Sequence, residues 1–534
     1  MASTGDALRA RERWLTMRRA LLPLLLSIVL SPSAVAVSAE PPVLLPDVFP
    51  SVPEVRAVAG VARLELAVVI DPVTGEPTFA YGGGTGAGPT IRVDPGDTID
   101  LTVRNEARPA NGRSNEVNIH FHGLTVSPSA PGDDTLGTLA RYGEVLHYRV
   151  HVPRNHEPGL YWYHPHVHGE SYADVTDGIS GAIVVEGLQQ HLPALARMRE
   201  RIIVLRDVPS GNGAVDADMP MTRASGAGSA AQARGGKPCR AESGLMTTLN
   251  GQPRAQIGIH PGERQFFRVV NASGGRYFDL FVDGAILTLV ARDGIPLDAF
   301  PGNAPGRRVR HLLLPPAARA EFVVQAPAHR TVLRSACVNT GSAGDADPAI
   351  ILADLVDPAT IFGPAGAKPA HPGHVLMRSP ALRVGAALPR NWYSRPLPAP
   401  AAYRTIRFTE DERGFYINGK AFTMADMDGP PAIVARSGTV ERWTIVNDTD
   451  EVHDFHIHQV HFVAESIDGV AVRAPVWADT VNVPPRRHVR GLTVPGRVVL
   501  AIDFRDPVVR GTFVYHCHIL DHGDQGMMAL IRVQ

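Results

Sequence analysis

Cysteine is nearly absent from this chain. Among 534 residues only Cys239, Cys337 and Cys517 occur, which excludes a disulfide-dense scaffold. Aromatic residues make up only 6% of the chain. Charge of either sign is not in excess, since 52 Lys+Arg against 53 Asp+Glu leave a formal net charge of −1. Neither nucleic acid nor an anionic membrane is therefore expected as a partner, and small-molecule chemistry is the easier inference. The apolar stretch at residues 20–30 is too short to span a bilayer comfortably, so no stable membrane anchor is expected. Glycine (51) and proline (46) are frequent, and the length suits several β-rich domains better than one.

Histidine, with 22 copies, is where the chemistry lies. Near the C-terminus the chain reads His516-Cys517-His518-Ile519-Leu520-Asp521-His522-Gly523-Asp524-Gln525-Gly526-Met527. A thiol, imidazoles and a thioether in this order have the ligand chemistry of a blue-copper site. On a strand, alternate side chains face opposite ways, so His516 and His518 share one face while Cys517 points from the other. Gly523 and Gly526 favour a turn that lets His522 and Met527 complete the Cys517 side. Three further segments carry His-x-His pairs: His120-Phe121-His122, Trp162-Tyr163-His164-Pro165-His166-Val167-His168, and His453-Asp454-Phe455-His456-Ile457-His458-Gln459-Val460-His461. An isolated pair of this kind is more often a surface or ordinary core feature than a ligand pair. Four pairs, one wrapped around a cysteine, argue against coincidence. Zinc is the chemical rival, but structural zinc takes one closed set of four ligands, and here imidazoles greatly outnumber thiols.

On these motifs, present in the family's order from about Val61 to Gln534, the sequence resembles the multicopper oxidases. The resemblance implies four copper ions and an all-β fold of three consecutive cupredoxin-like Greek-key β-sandwich domains. By motif position it assigns His453, Cys517, His522 and Met527 to the type 1 copper, and His120 and His456 to the type 2 copper. His122, His164, His166, His458, His516 and His518 fall to the two type 3 coppers. His168 and His461 are surplus and read as neighbours of the site or surface residues. The resemblance further implies one-electron oxidation of a small reducing substrate at the type 1 copper, transfer through Cys517 to His516 and His518, and reduction of dioxygen to water at the shared cluster.

Proton supply calls for carboxylates near that cluster. Asp133 and Asp134 are the candidates after the first pair. Gly523 stands where many bacterial relatives have Glu, so a second relay is absent or moved to Asp524 or Asp521. Asp454 replaces the family's usual proline. It is expected to solvate a loop or to attract a cationic or phenolic donor. Met424, Asp426 and Met427 lie where cuprous oxidases bind metal ions, but two methionines are too few for that role, and ordinary packing is expected.

Three segments echo one another. From Gly96 to Asn105, Gly262 to Asn271 and Gly438 to Asn447 the interval is nine positions each time, and the segments alternate as half-buried strands do. Their domain-sized spacing indicates repeated domains. The expected boundaries are 1–39 for a secretory signal, 40–187, 188–356, a proline-rich linker at 357–402, and 403–534. The middle domain has no His-x-His pair and is expected to act as a copper-free spacer. Residues 210–244 read as a flexible insertion. The signal has a charged start, with Arg18-Arg19 compatible with the twin-arginine route, and Met17 is an alternative initiator. Export to the periplasm or exterior would let Cys239 and Cys337 pair, although two free thiols remain equally open. A laccase-like oxidase of phenols or aromatic amines is the leading expectation. A metallo-oxidase of Cu(I), Fe(II) or Mn(II) comes second, and a non-enzymatic envelope protein third.

Overall fold

The computed structural model describes residues 49–110, 112–209, 245–345, 347–362, 387–388 and 392–534. The expected signal at 1–39, the insertion at 210–244 and much of the proline-rich linker lie outside the described residues. So does Cys239; Cys337 is disulfide-bonded, and Cys517 is a free, buried thiol. Among the described residues no helix is long and apolar enough to cross a membrane.

Alternating strands bury one face each, and the described chain forms three consecutive two-sheet sandwiches. In the first, the sheet holding Val61–Ile70, Thr98–Asn105 and Val145–His151 faces the sheet holding Thr90–Val93, Gly181–Val185, Gly159–His164 and His120–His122. Ile99, Leu101, Val103, Phe121 and Ile183 fill the space between them. The middle sandwich packs Phe267, Val269, Phe278, Leu280 and Phe322 between a sheet built on Arg199–Pro209, Arg264–Asn271 and Arg319–Gln325 and one built on Phe278–Val282 and Thr331–Ala336. The third packs Trp443, Ile445, Phe455, Tyr515 and Cys517 between sheets that include Val440–Asn447 and Gly496–Asp503 on one side and His453–Ile457, Gly511–His516 and Met528–Val533 on the other.

The threefold echo has a structural cause. Thr98–Asn105, Arg264–Asn271 and Val440–Asn447 each run parallel to the opening long strand of their sandwich. Each ends on a fully buried asparagine whose Nδ2 donates to two backbone carbonyls outside its strand: Asn105 to Asn115 and Ala140, Asn271 to Arg276 and Leu314, Asn447 to Glu451 and Val483. A buried amide left without partners would destabilise the fold, so the repeated residue ties a corner of each sandwich.

The linker is not wholly passive. Tyr393, near its end, is buried, and its hydroxyl lies 2.9 Å from Thr125 Oγ1 and 3.0 Å from His461 Nδ1.

Candidate metal centre

Strand pairing brings the motifs together two by two. His120–His122 lies antiparallel to Gly159–His164, with His120 opposite His164. His453–Ile457 lies antiparallel to Gly511–His516, with His456 opposite His516. The two pairs of strands then meet, and His120, His122, His164, His166, His456, His458, His516 and His518 converge with none more than 4% exposed. His166, His458 and His516 form one trio, with His516 Nε2 3.3 Å from both His166 Nε2 and His458 Nε2. His122, His164 and His518 form a second, with ring centroids 5.0 to 5.7 Å apart. His120 stacks on His458 at 3.7 Å, and His456 stacks on His122 at 4.0 Å.

The neighbours of these rings fix which nitrogen faces inward. The Nδ1 atoms of His164, His456 and His516 are bonded to the carbonyls of Pro165, Asp479 and Cys517 at 2.7, 2.9 and 2.8 Å, and His120 Nδ1 is 2.9 Å from Asp133 Oδ2. Each oxygen accepts a hydrogen bond from Nδ1–H and leaves Nε2 with a free lone pair, as in metal-ligating histidines. The Nε2 atoms of His120, His122, His164, His456 and His518 are buried without a hydrogen bond. Unpaired buried polar atoms are costly, and so many at one point fit a metal cluster. Burial, followed by the crowding of neighbouring imidazoles, pushes His122, His164, His166, His458 and His518 well below their ordinary pKa. Neutral imidazole is the form that binds metal.

Directly after Gly511–His516, and turned away from the cluster, Cys517 Sγ lies 3.7 Å from His453 Nδ1 and 3.8 Å from His522 Nδ1, and the two nitrogens are 3.0 Å apart. All three converge on one point. Met527 is buried in the same core, and its carbonyl accepts the Cys517 amide. His453 Nε2 is oriented by the Thr449 hydroxyl at 2.9 Å.

The carboxylates divide sharply. Asp133 is fully buried and accepts from His120 Nδ1, the Phe121 amide and Gln459 Nε2. Asp134 accepts from the amides of Leu136 and Gly137 in its own loop. Asp524 accepts from the amides of Gly169 and Tyr172, just beyond the second histidine motif, and burial pushes it up to about 6. Asp454 corrects the expectation from sequence: it is fully buried, so it neither solvates a loop nor meets a donor. Its Oδ1 accepts from the amides of His518 and Ile519 and from Cys517 Sγ at 3.3 Å. Burial pushes its carboxyl up to about 7 against those hydrogen bonds.

Two residues that carried no motif complete the surroundings. Asp479 lies 3.5 Å from His122 Nε2 and 3.6 Å from His461 Nε2, and Arg319 of the middle sandwich grips it through two hydrogen bonds of 2.7 and 2.6 Å. Burial alone would raise Asp479, but the Arg319 charge outweighs it and holds the carboxyl at about 2. Gly123, with φ +84°, admits this pair, because a Cβ there would lie 2.2 Å from Arg319 Nη2. His461, surplus in sequence, is buried, with Nδ1 next to the Tyr393 hydroxyl and Nε2 3.1 Å from the Asp293 carbonyl. His168 packs edge-on against Phe422.

His522 forms part of the wall of a cavity of about 230 Å³, shared with Tyr172, Tyr277, Asp345, Glu451 and Asp521. His522 Nε2 is 3.5 Å from Glu451 Oε1, and His453 Nε2 is 3.8 Å from Glu410 Oε2. Burial, followed by the adjacent Glu410, pushes the Glu451 carboxyl well up from its ordinary range.

Three β-sandwiches, a buried site of two imidazoles and one thiol, and a separate buried imidazole cluster define an oxidoreductase of the copper-dependent kind. Comparison with known proteins agrees: two family models described as multicopper oxidase match residues 70–190 and 395–534. The chain belongs to the multicopper oxidase family, whose members are oxygen-using oxidoreductases. It is 21% identical over 462 residues to multicopper oxidase mco of Staphylococcus aureus, covering 85% of this chain and 84% of that protein. It is 24% identical over 488 residues to laccase-1 of Botryotinia fuckeliana, covering 84% and 77%. Among solved structures, a multicopper oxidase from Campylobacter jejuni, described as a metallo-oxidase, superimposes with a TM-score of 0.64 at 22% identity, covering 91% of this chain and 96% of the other. A laccase-like multicopper oxidase from Ochrobactrum sp. does so with 0.63 at 21%, covering 91% and 100%. These superpositions establish the cupredoxin-type fold.

Proposed function

We propose that the chain holds four copper ions, one type 1, one type 2 and two type 3. His453, Cys517, His522 and Met527 take the type 1 ion, and His120 and His456 the type 2 ion. The type 3 ions fall to the two imidazole trios, His122, His164 and His518, and His166, His458 and His516. The observation that carries this reading is the convergence of eight buried imidazoles on the strand that presents Cys517 from its other face. We take the domains as 40–187, 188–356 and 403–534, a division that the three sandwiches support. Export is supported by the disulfide at Cys337, a bond that persists in oxidising compartments.

Copper bound in this way supplies one-electron acceptance beside Cys517 and four-electron reduction of dioxygen to water at the imidazole cluster. The remaining work is done by the chain. His516 and His518 are covalent neighbours of Cys517, and the His516 Nδ1 proton is shared with the Cys517 carbonyl, so two short routes join the sites. Asp133 orients His120 and is the carboxylate best placed to hold a proton beside the cluster. His522 forms the contact with the donor, because its ring lines the cavity.

The donor we infer is a small phenol or aromatic amine. The cavity has room for one aromatic ring beside His522, and Tyr172 and Tyr277 offer flat contacts. Asp345 and Asp521 support a second reading, oxidation of Cu(I), Fe(II) or Mn(II), since carboxylates suit metal cations. Oxygen uptake by the copper-loaded protein across phenols, aromatic amines and these ions separates the two. Uptake with aromatic donors is expected. Uptake with metal ions alone would favour the second reading, and a copper-loaded protein inert to oxygen would sink both.

A further inference from the structure

Gln459 holds a conformation that its residue type disfavours. Its φ is +62°, in the left-handed region, and the Val460 amide donates across it to the His458 carbonyl at 2.8 Å, so the chain makes a tight, strained γ-turn directly after His458. Strain of this kind persists only where the surroundings fix it. Here the fixing contact is the side chain. Gln459 is 2% exposed, and its Nε2 reaches from the third sandwich into the first, where it donates to Asp133 Oδ2 at 2.8 Å. A carboxyl oxygen accepts from an amide whether or not the group is ionised, so the contact follows from position and not from a titration. The same Asp133 oxygen lies 2.9 Å from His120 Nδ1, and His120 stacks on His458 with centroids 3.7 Å apart and planes 8° from parallel. His120, Asp133, Gln459 and His458 therefore close a ring, two residues from each sandwich. Gln459 Oε1 is buried without a hydrogen bond. A position shaped for stability alone would not combine a strained turn with a bare buried carbonyl.

We propose that Gln459 is a positioning residue that holds the first-sandwich and third-sandwich halves of the imidazole cluster in register, by tying the turn after His458 to the carboxylate that orients His120. This rests on the reading of His120 as a type 2 copper ligand. With the tie cut, Asp133 is left with partners from its own sandwich, the Phe121 amide and His120. Two variants cut it in different ways. Gln459→Asn keeps an amide on a residue type that enters the left-handed region readily, but its side chain is one methylene too short to reach Asp133. Gln459→Gly suits the turn better than the native residue, so any loss in it comes from the missing side chain.

The test follows the copper-loaded full-length protein during dialysis against a chelator, reading the type 2 ion by electron paramagnetic resonance and the type 1 ion by its blue band. Both variants should release the type 2 ion at about tenfold lower chelator concentration than wild type, while the blue band persists as in wild type. Type 2 retention within about twofold of wild type in either variant overturns the proposal. Parallel loss of both signals, or failure of both variants to fold, also overturns it, because the residue would then hold the fold and not the register. A wild-type protein without a type 2 signal would instead sink the type 2 reading itself, a result distinct from an unshifted release.

Discussion

The middle sandwich and its two neighbours share a plan down to the buried asparagine that closes each corner, yet only the neighbours contribute imidazoles to the cluster. The expectation of a spacer is too narrow for the middle sandwich, which reaches into the surroundings of the site. The middle sandwich supplies Arg319, which binds the Asp479 carboxylate beside His122, and the Asp293 carbonyl, which meets His461. It also supplies Tyr277, part of the wall of the cavity at His522. One copy of a repeated fold can thus supply charges and walls to a site whose imidazoles come from the other two.

Arg319→Met breaks that comparison most directly. It strands the buried Asp479 carboxylate, and the copper-free protein should lose about 3–5 kcal/mol in denaturant unfolding. An unchanged midpoint would return the middle sandwich to a spacer. Asp133→Asn moves the question to the first sandwich. Weakening the partner of His120 Nδ1 should cost about 10–100-fold in copper affinity at the cluster, read by titrating the copper-free protein. Copper binding at wild-type strength would show that strand geometry alone orients the ring. The smallest effect is expected at the cavity. Asp521→Asn, on the third-sandwich side, should raise KM several-fold for cationic aromatic amines and leave neutral phenols unchanged. Equal effects on both donors would mean that the cavity does not select by charge.

Much of the site was legible because strand periodicity turns a His-x-His pair into two imidazoles on one face, and family order turns four pairs into one cluster. The corner asparagines were legible as an interval of nine residues, though not as sandwich ties. Asp479 and Arg319 were not legible, since a single acid and a single arginine 160 positions apart have no periodic signature and meet only in the folded chain. Asp454 stands out in the sequence, but its burial does not. A charged residue between two histidines reads as exposed, and only the register of His453–Ile457 against its neighbours reveals that it points at Cys517. Among the proposed relay carboxylates, Asp133 touches a cluster imidazole, whereas Asp134 and Asp524 hold backbone amides, a distinction that depends on distances no sequence carries.

The central claim is that Cys517 and the histidines flanking it belong to two metal sites on opposite faces of one strand. Copper content of Cys517→Ser, measured beside the wild type together with absorption and oxygen uptake, tests it most directly. The account predicts four coppers and a blue band in the wild type, and in the variant three coppers, no blue band and no turnover. A variant that keeps its turnover, or that loses the cluster copper along with the blue band, would contradict it.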